Sequence, residues 1–301
     1  MQIERLIPPA GTPHSPDLIL RVDRAECALW WSHVPALDAE RLGVIGHLSA
    51  TAELLTVAAD ELAAHDCTFA VGPMDGNTWR PYRAVTERGD EPAFFMEPDT
   101  PADWPEIFCA AGFAPLAHYT STLVDDLTRT DPRVPAARER FLRDGVELRT
   151  IRMEHFEDEL RRIYAVSRAS FVNNYLYTEI PEDEFIQQYT PYRDKIRPEV
   201  VLLAERAGAP VGFVFGIPDY AEALRGAPVR TLVAKTLAVL PERCLAGLGV
   251  VLTDMLHQHA RALGFTRAIH ALQHESNLVR NMSSTMGRII RRYALYGKRL
   301  V

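Results

Sequence analysis

The sequence predicts a mixed α+β protein built as two similar units, each a central mixed, largely antiparallel sheet flanked by helices. Three observations lead there. A chain of 301 residues has room for two globular units. Apolar residues recur alternately in some runs and three or four apart in others, through both halves. Each half also sets one helix between two short apolar strands, the pattern of a parallel crossover. With 47% apolar residues, and 17 glycines and 21 prolines scattered rather than periodic, the composition excludes collagen-like and low-complexity chains.

No apolar run reaches bilayer length, and residues 1–16 lack the basic start and apolar segment of a signal peptide, so a cytoplasmic protein without membrane contact is expected. Cys27, Cys67, Cys109 and Cys244 are too widely spaced for zinc or dithiol motifs; buried thiols and no metal are expected. A formal net charge of -7 argues against nucleic-acid binding, which needs a basic face. The charge is uneven. Residues 1–130 hold 8 Arg, no Lys and 20 acids, a net of -12, whereas residues 131–301 hold 25 bases and 20 acids, a net of +5. A polyanionic small molecule therefore belongs with the second half. Arginine outnumbers lysine 30 to 3.

Residues 1–16, with Pro8, Pro9, Pro13 and Pro16, read as an extended arm. The first unit, 17–127, shows strands at 17–22, 27–34 and 41–48, then a helix over 51–64 carried by Leu54, Leu55, Ala58 and Leu62. A strand at 67–71, a loop, a short strand at 93–96, a helix at 104–111 closed by Gly112 and a strand at 114–124 complete it. Residues 128–144 carry charge and two prolines without clear periodicity and read as a linker. The second unit, 145–301, opens with a strand at 146–152, a helix from Phe156 and a second helix at 182–189. Strands at 200–205, 211–217 and 231–239 follow. Leu248, Val251, Leu252, Met255 and Leu263 mark an amphipathic helix stopped by Gly264, and strands at 267–272 and 289–296 end the chain. Charge runs at 138–143 and 157–162 read as solvated helix faces.

The strongest chemical signal is the segment 235–252. An apolar strand ends at Val239, Pro241 stops its pairing, and a small-residue turn opens a helix near Ala246. Amides of a first helical turn suit a pyrophosphate, Gly247 and Gly249 let the backbone approach it, and Arg243 adds charge. Tight helix packing is the alternative reading of the same glycines.

With the Val211-Gly-Phe-Val-Phe strand, the Leu237-Ala-Val-x-Pro-Glu strand end, Gly247-x-Gly249, the helix ending at Leu263-Gly264, and Asn277, residues 146–301 resemble the GCN5-related N-acetyltransferase (GNAT) superfamily. Residues 17–124 resemble a degenerate second copy whose Ser49-Ala-Thr-Ala turn lacks the glycines, and the whole resembles the tandem GNAT-like proteins of bacteria. The resemblance implies acetyl-CoA or another acyl-CoA as co-substrate. By it, the backbone of Leu237, Ala238 and Val239 would bind pantetheine and polarise the thioester. The amides of Leu245, Ala246, Gly247, Leu248 and Gly249 would hold the pyrophosphate, and Asn277 would touch the pantetheine arm. Three departures stand out. Cys244 fills a slot usually held by Arg or Gln, with Arg243 one place early; Lys235 stands where a glutamate base is common; Ser284 stands where a tyrosine acid is common.

Acyl transfer to an amine needs one proton removed and one supplied. His270 and His274 alternate with Leu272, so both are candidate bases facing one side. Lys235 reads equally as a carboxylate anchor and a proton-transfer group. Tyr293 and Tyr296 point to opposite strand faces, one as a candidate acid and the other as packing. Each also has a purely structural reading, which is the favoured one for Cys244. For the acceptor, the loop with Asn173, Asn174 and Tyr177 and the loop with Trp79, Arg80 and Arg83 are candidates, against loop hydrogen bonds or a domain interface. The expectation is an N-acyltransferase, by default acetylating a small-molecule amine, with the first half completing the acceptor pocket. A non-catalytic acyl-CoA sensor or scaffold, and an acyltransferase using a carrier-protein thioester, remain open. Acceptor, acyl length and oligomeric state are not legible.

Overall fold

A 13-stranded mixed sheet runs through the computed structural model, which describes residues 2–8, 14–276 and 287–301. Across the sheet the strands lie in the order β1 (Ile3–Leu6), β2 (Leu18–Val22), β3 (Ala25–Trp30), β4 (Leu42–Gly46), β5 (Phe69–Gly72), β13 (Arg288–Arg299), β7 (Ala114–Val124), β12 (Arg267–His274), β11 (Thr231–Val239), β10 (Ala209–Pro218), β9 (Val201–Arg206) and β8 (Val146–Thr150). A further short strand, β6 (Ala84–Glu87), pairs with β13. Parallel pairing occurs at β4–β5, joined by α1 (Ala52–Ala64), and at β11–β12, joined by α7 (Leu248–Ala262); the other ladders are antiparallel.

Local chemistry accounts for these helices. Thr51 caps α1, its hydroxyl accepting from the Leu54 amide at 3.1 Å, and Leu54, Leu55, Ala58 and Leu62 are fully buried. Gly247 precedes α7 at φ 91°, a conformation that favours glycine, and Gly264 at φ 90° ends it while Phe265 N–H reaches back to the Ala260 carbonyl. Helices α1 and α2 (Trp104–Ala110) cover one face of the first half. In the second half α4 (Phe156–Phe171) and α5 (Glu182–Tyr189) cover one face, and α7 with α3 (Val134–Arg143) covers the other.

The centre of the sheet joins the two halves. β13 lies between β5 and β7, and β7 lies between β13 and β12, so the last strand of each half rests against the parallel pair of the other. This burial takes in Tyr293, Ala294, Leu295 and Tyr296.

The structure departs from the sequence reading in five places. Residues 93–96 form no strand; the partner of β13 there is β6, in a segment whose prolines and charges hid it. Part of the expected arm is a strand, β1, pairing Ile3–Leu6 with β2. The expected linker 128–144 contains α3, whose Val134 and Phe141 are buried. The charge run at 157–162 is not wholly solvated: Glu159 is 2% exposed and pairs with Arg149 at 2.6 Å. A short helix, α6 (Tyr220–Leu224), also lay unread between two strands.

Because β13 is interior, deleting residues 288–301 should leave the edges of β5 and β7 bare. Expected is loss of the single cooperative transition in urea melts of the full chain, with aggregation of the truncated one.

Candidate functional site

The parallel ladder between β11 and β12 ends at Ala234 opposite His270, although both strands run on. At that point the β10–β11 register shifts, with Phe215 opposite Thr236 and Gly216 opposite Ala234, so Lys235 is the extra residue of a β-bulge. Beyond the bulge β11 stays paired only to β10. The Leu240 amide donates to Val211 of β10 at 2.9 Å, so by antiparallel alternation Val239 and Leu237 turn their N–H and C=O groups the other way, into the gap. The hydroxyl of Ser170, on α4, donates to the Val239 carbonyl at 3.1 Å.

The gap opens into a cavity of about 1380 Å³. Lys235, Leu237, Ala238 and Val239 form one wall, Leu272 and His274 of β12 another, and Asn173, Asn174 and Tyr177 lie at its margin with Trp79, Arg80 and Arg83 from the first half. The two sequence-selected loops therefore meet across the same cavity. Trp79 packs edge-on to Phe185 and Tyr177 and donates its Nε1–H to the Thr178 carbonyl at 2.7 Å. Arg80 is held by Glu184 at 3.1 Å, which also lies 3.2 Å from His14. Asn173 and Asn174 are exposed, whereas the buried Tyr177 hydroxyl has no partner among the described residues and burial pushes it up to about 12.

Arg83 is 3% exposed and lies over the rings of Tyr82 and Tyr119 at 3.7 and 4.0 Å, its Nη1 donating to the Leu272 carbonyl at 3.2 Å. Lys235 has no hydrogen-bond or ion-pair partner among the described residues; burial, and then the Arg83 guanidinium, pull its ammonium down to about 8. His274 accepts the Ser276 amide at Nδ1, at 3.2 Å, which places its proton on Nε2. Burial and the Arg83 charge both hold this imidazole below its usual range, with Glu275 opposing them.

Other expected site residues lie elsewhere. Leu272 takes φ 57° and the β12–β7 register shifts between His270 and Gln273, so the alternation breaks and the two histidines do not share a face. His270 instead meets His257 of α7, Nε2 to Nε2, at 2.9 Å, 4% exposed and away from the cavity wall. Tyr293 is fully buried, hydrogen-bonded to Ser121 at 3.0 Å and to Glu97, and burial drives its hydroxyl strongly upward. Tyr296 stacks on Phe108 in the core of the first half, where burial pushes it up to about 12. Placing β13 inside the sheet removes both tyrosines from the cavity. Asn277 and Ser284 lie outside the described residues.

The turn before α7 is exposed from Arg243 to Gly247, apart from Leu245. The Leu245 and Ala246 amides already donate to Glu242 and Arg243 carbonyls, which leaves the amides of Gly247, Leu248 and Gly249 as the group facing outward at the helix start. The side chains of Leu245 and Leu248 pack into the core. Arg243 is exposed, and a second arginine stands closer: Arg140 Nη2, from α3, donates to the Ala246 carbonyl at 2.6 Å. Sequence reasoning missed Arg140 by treating its run as a solvated face; the spacing of Val134, Ala137 and Phe141 was the available signal. Cys244 is exposed, 3.1 Å from Arg206.

The corresponding corner of the first half is filled. The Met74 amide donates to the Ile45 carbonyl, the His47 amide to Asp75 at 2.7 Å, and a Cβ on Gly46 would meet the Met74 carbonyl oxygen at 2.1 Å.

Compared by sequence, the chain matches no protein-family model and no curated protein. Among solved structures it is similar to the GCN5-related glucosamine N-acetyltransferase region of a fungal multi-domain GH3 β-N-acetylglucosaminidase, at 13% identity and TM-score 0.55, over 93% of this chain and 32% of that one. It is similar also to a GCN5-related N-acetyltransferase from Sphaerobacter thermophilus, at 11% identity and TM-score 0.53, over 94% of this chain and 80% of that one. The chain has the GNAT fold. No metal-binding cluster of His, Cys, Asp or Glu, and no helix long and apolar enough to cross a membrane, occurs among the described residues.

The His257–His270 pair makes a prediction about stability. Burial depresses both imidazoles, and two protonated rings at this distance would repel. The unfolded chain takes up protons near pH 6.5 that the folded pair refuses. Stability should therefore fall as pH drops below about 6.5, by at most ~1.4 kcal/mol per pH unit for each ring. Urea midpoints at pH 7 and pH 5 should show a smaller drop for His257→Asn than for the wild type.

Proposed function

We propose that this chain is an acyl-CoA-dependent N-acyltransferase, with acetyl-CoA as the default donor and a small-molecule amine as acceptor. The observation that carries this reading is the open outer edge of β11, where a ladder stops at Ala234 and main-chain groups face a cavity instead of a neighbouring strand. An acyl-CoA would supply an activated thioester carbonyl. Leu237 and Val239 offer the main-chain partners that a pantetheine arm needs and a thioester oxygen can use. The amides of Gly247, Leu248 and Gly249, with Arg140 over the same turn, suit a pyrophosphate. That basic, open turn favours CoA over a carrier-protein donor, whose arm lacks the nucleotide phosphates.

Proton balance follows from the charges. Arg83 and Lys235 favour the neutral form of a bound amine over its ammonium, so the nitrogen arrives with its lone pair available. The proton lost from that nitrogen as the C–N bond forms is the proton the sulfur gains when the C–S bond breaks. No carboxylate base is required. The same two cations offset the negative charge that develops on the carbonyl oxygen and the leaving sulfur. Trp79, Tyr177 and Phe185 wall the acceptor side with aromatic surface.

Calorimetry with acetyl-CoA and with pantetheine tests the donor. Acetyl-CoA should bind and pantetheine should bind at least tenfold more weakly; heat from neither, with longer acyl-CoAs also silent, rejects the assignment. Gly247→Val, at φ 91°, should weaken acetyl-CoA binding by about tenfold or more. Lys235 is cationic below about pH 8, so kcat/KM for an amine acceptor should rise as the amine deprotonates and then fall as pH passes that value. Lys235→Arg should move the falling limb beyond pH ~10, and Lys235→Met should cost roughly 100-fold.

A further inference from the structure

We propose that Arg83 and Lys235 form a carboxylate-binding subsite at the head of the cavity, so that one of the two substrates carries a carboxylate. The proposal deepens the acyltransferase reading by naming a substrate class.

Among the described residues the one other arginine as deeply buried as Arg83 is matched by a carboxylate. Arg291, also 3% exposed, pairs with Glu97 at 2.9 Å. Arg149 pairs with Glu159 and Glu205, and Arg267 lies 3.1 Å from Glu91. Arg83 is the contrast. Among the described residues its partners are a carbonyl and two aromatic rings, its buried Nε has none, and no carboxylate stands within ion-pair distance. Beside it Lys235 is likewise without a carboxylate. The carboxylates Glu97 and Glu184 on the cavity wall are already committed, to Arg291 and to Arg80 with His14.

Two like charges thus face one cavity in a protein whose net charge is -7. That arrangement costs free energy until an anion arrives between them. The backbone enforces it: Arg83 sits at φ 75°, strained for a residue with a side chain, and its amide is tied to the Pro73 carbonyl at 2.8 Å. The buried Nε2–H of His274, unpartnered among the described residues and close enough to feel the Arg83 charge, adds a third donor. A planar carboxylate matches a guanidinium fork beside an ammonium and an imidazole N–H. It can come from the acceptor amine or from the acyl chain of the donor.

The chain has only 3 lysines, so protein labelled with 13C at lysine Cε gives three resonances, of which Lys235 is assigned by its loss in Lys235→Arg. Succinate, L-phenylalanine and succinyl-CoA are each compared with a counterpart that lacks the carboxylate: succinamide, L-phenylalaninamide and acetyl-CoA. Expected is a rise of about one unit in the titration midpoint of Lys235 with the carboxylate-bearing compound beyond any change its counterpart causes. A larger effect of L-phenylalanine assigns the carboxylate to the acceptor, and of succinyl-CoA to the donor. Arg83→Gln, if folded by circular dichroism, should abolish the rise. An unmoved Lys235 with all three carboxylates overturns the subsite, even if calorimetry shows acetyl-CoA binding and the transferase reading stands. A response to succinate with both CoA esters silent leaves the subsite and overturns the donor.

Discussion

Strands β11 and β12 satisfy one another only as far as Ala234 and His270, and what the molecule can do follows from the backbone groups left over beyond that point. Two parallel strands that continue side by side would have no reason to separate. Here the bulge at Lys235 turns β11 aside while Leu272, in a left-handed conformation, turns β12, so each strand is bent at the level where pairing ends. Unpaired amides and carbonyls in an interior are costly, so a ladder interrupted in this way is completed by protein atoms, by water or by a ligand.

The two halves answer that requirement differently. In the first, residues 73–75 fill the corner with their own main chain and a carboxylate. In the second, the Ser170 hydroxyl reaches the Val239 carbonyl on the open edge, and a cavity remains. The segment that leaves the first corner then crosses to the second, carrying Trp79, Arg80 and Arg83 into its wall. One half has become furniture for the other's site. The central pairing of β7, β12 and β13 holds the two at fixed distance, because neither half owns a complete sheet without the other's last strand.

Electrostatics sharpens the contrast between a scaffold and a site. Most buried charges here are closed pairs, such as Arg291 with Glu97 and Arg149 with Glu159. Pairs of this kind stabilise little beyond their own desolvation cost but hold strands in register. Arg83 and Lys235, at the head of the cavity, lack such closure among the described residues and stand next to an unfinished ladder.

Much of the architecture was legible in the residues themselves. The strands expected at 114–124 and 231–239 and the helical segment expected at 182–189 match β7, β11 and α5 to the residue. Gly247 announced the turn because few other residues tolerate its φ. The candidate loops at 79–83 and 173–177 stood out as polar and aromatic, and they do meet across one cavity. What no periodicity could reveal was the partner of each strand. A strand's sequence records which faces are buried, not which neighbour buries them, so the insertion of β13 beside β5, which hides Tyr293 and Tyr296, was a tertiary decision. The separation of His270 from His274 was another, because a one-residue bulge reverses a side chain's face while leaving the composition of the strand unchanged. Arg140 acquired its place only when α3 docked on α7. The chain alone determined its periodicities and its turns; which charges would remain without partners depended on how distant segments were brought together, since pairing is a property of neighbours in space.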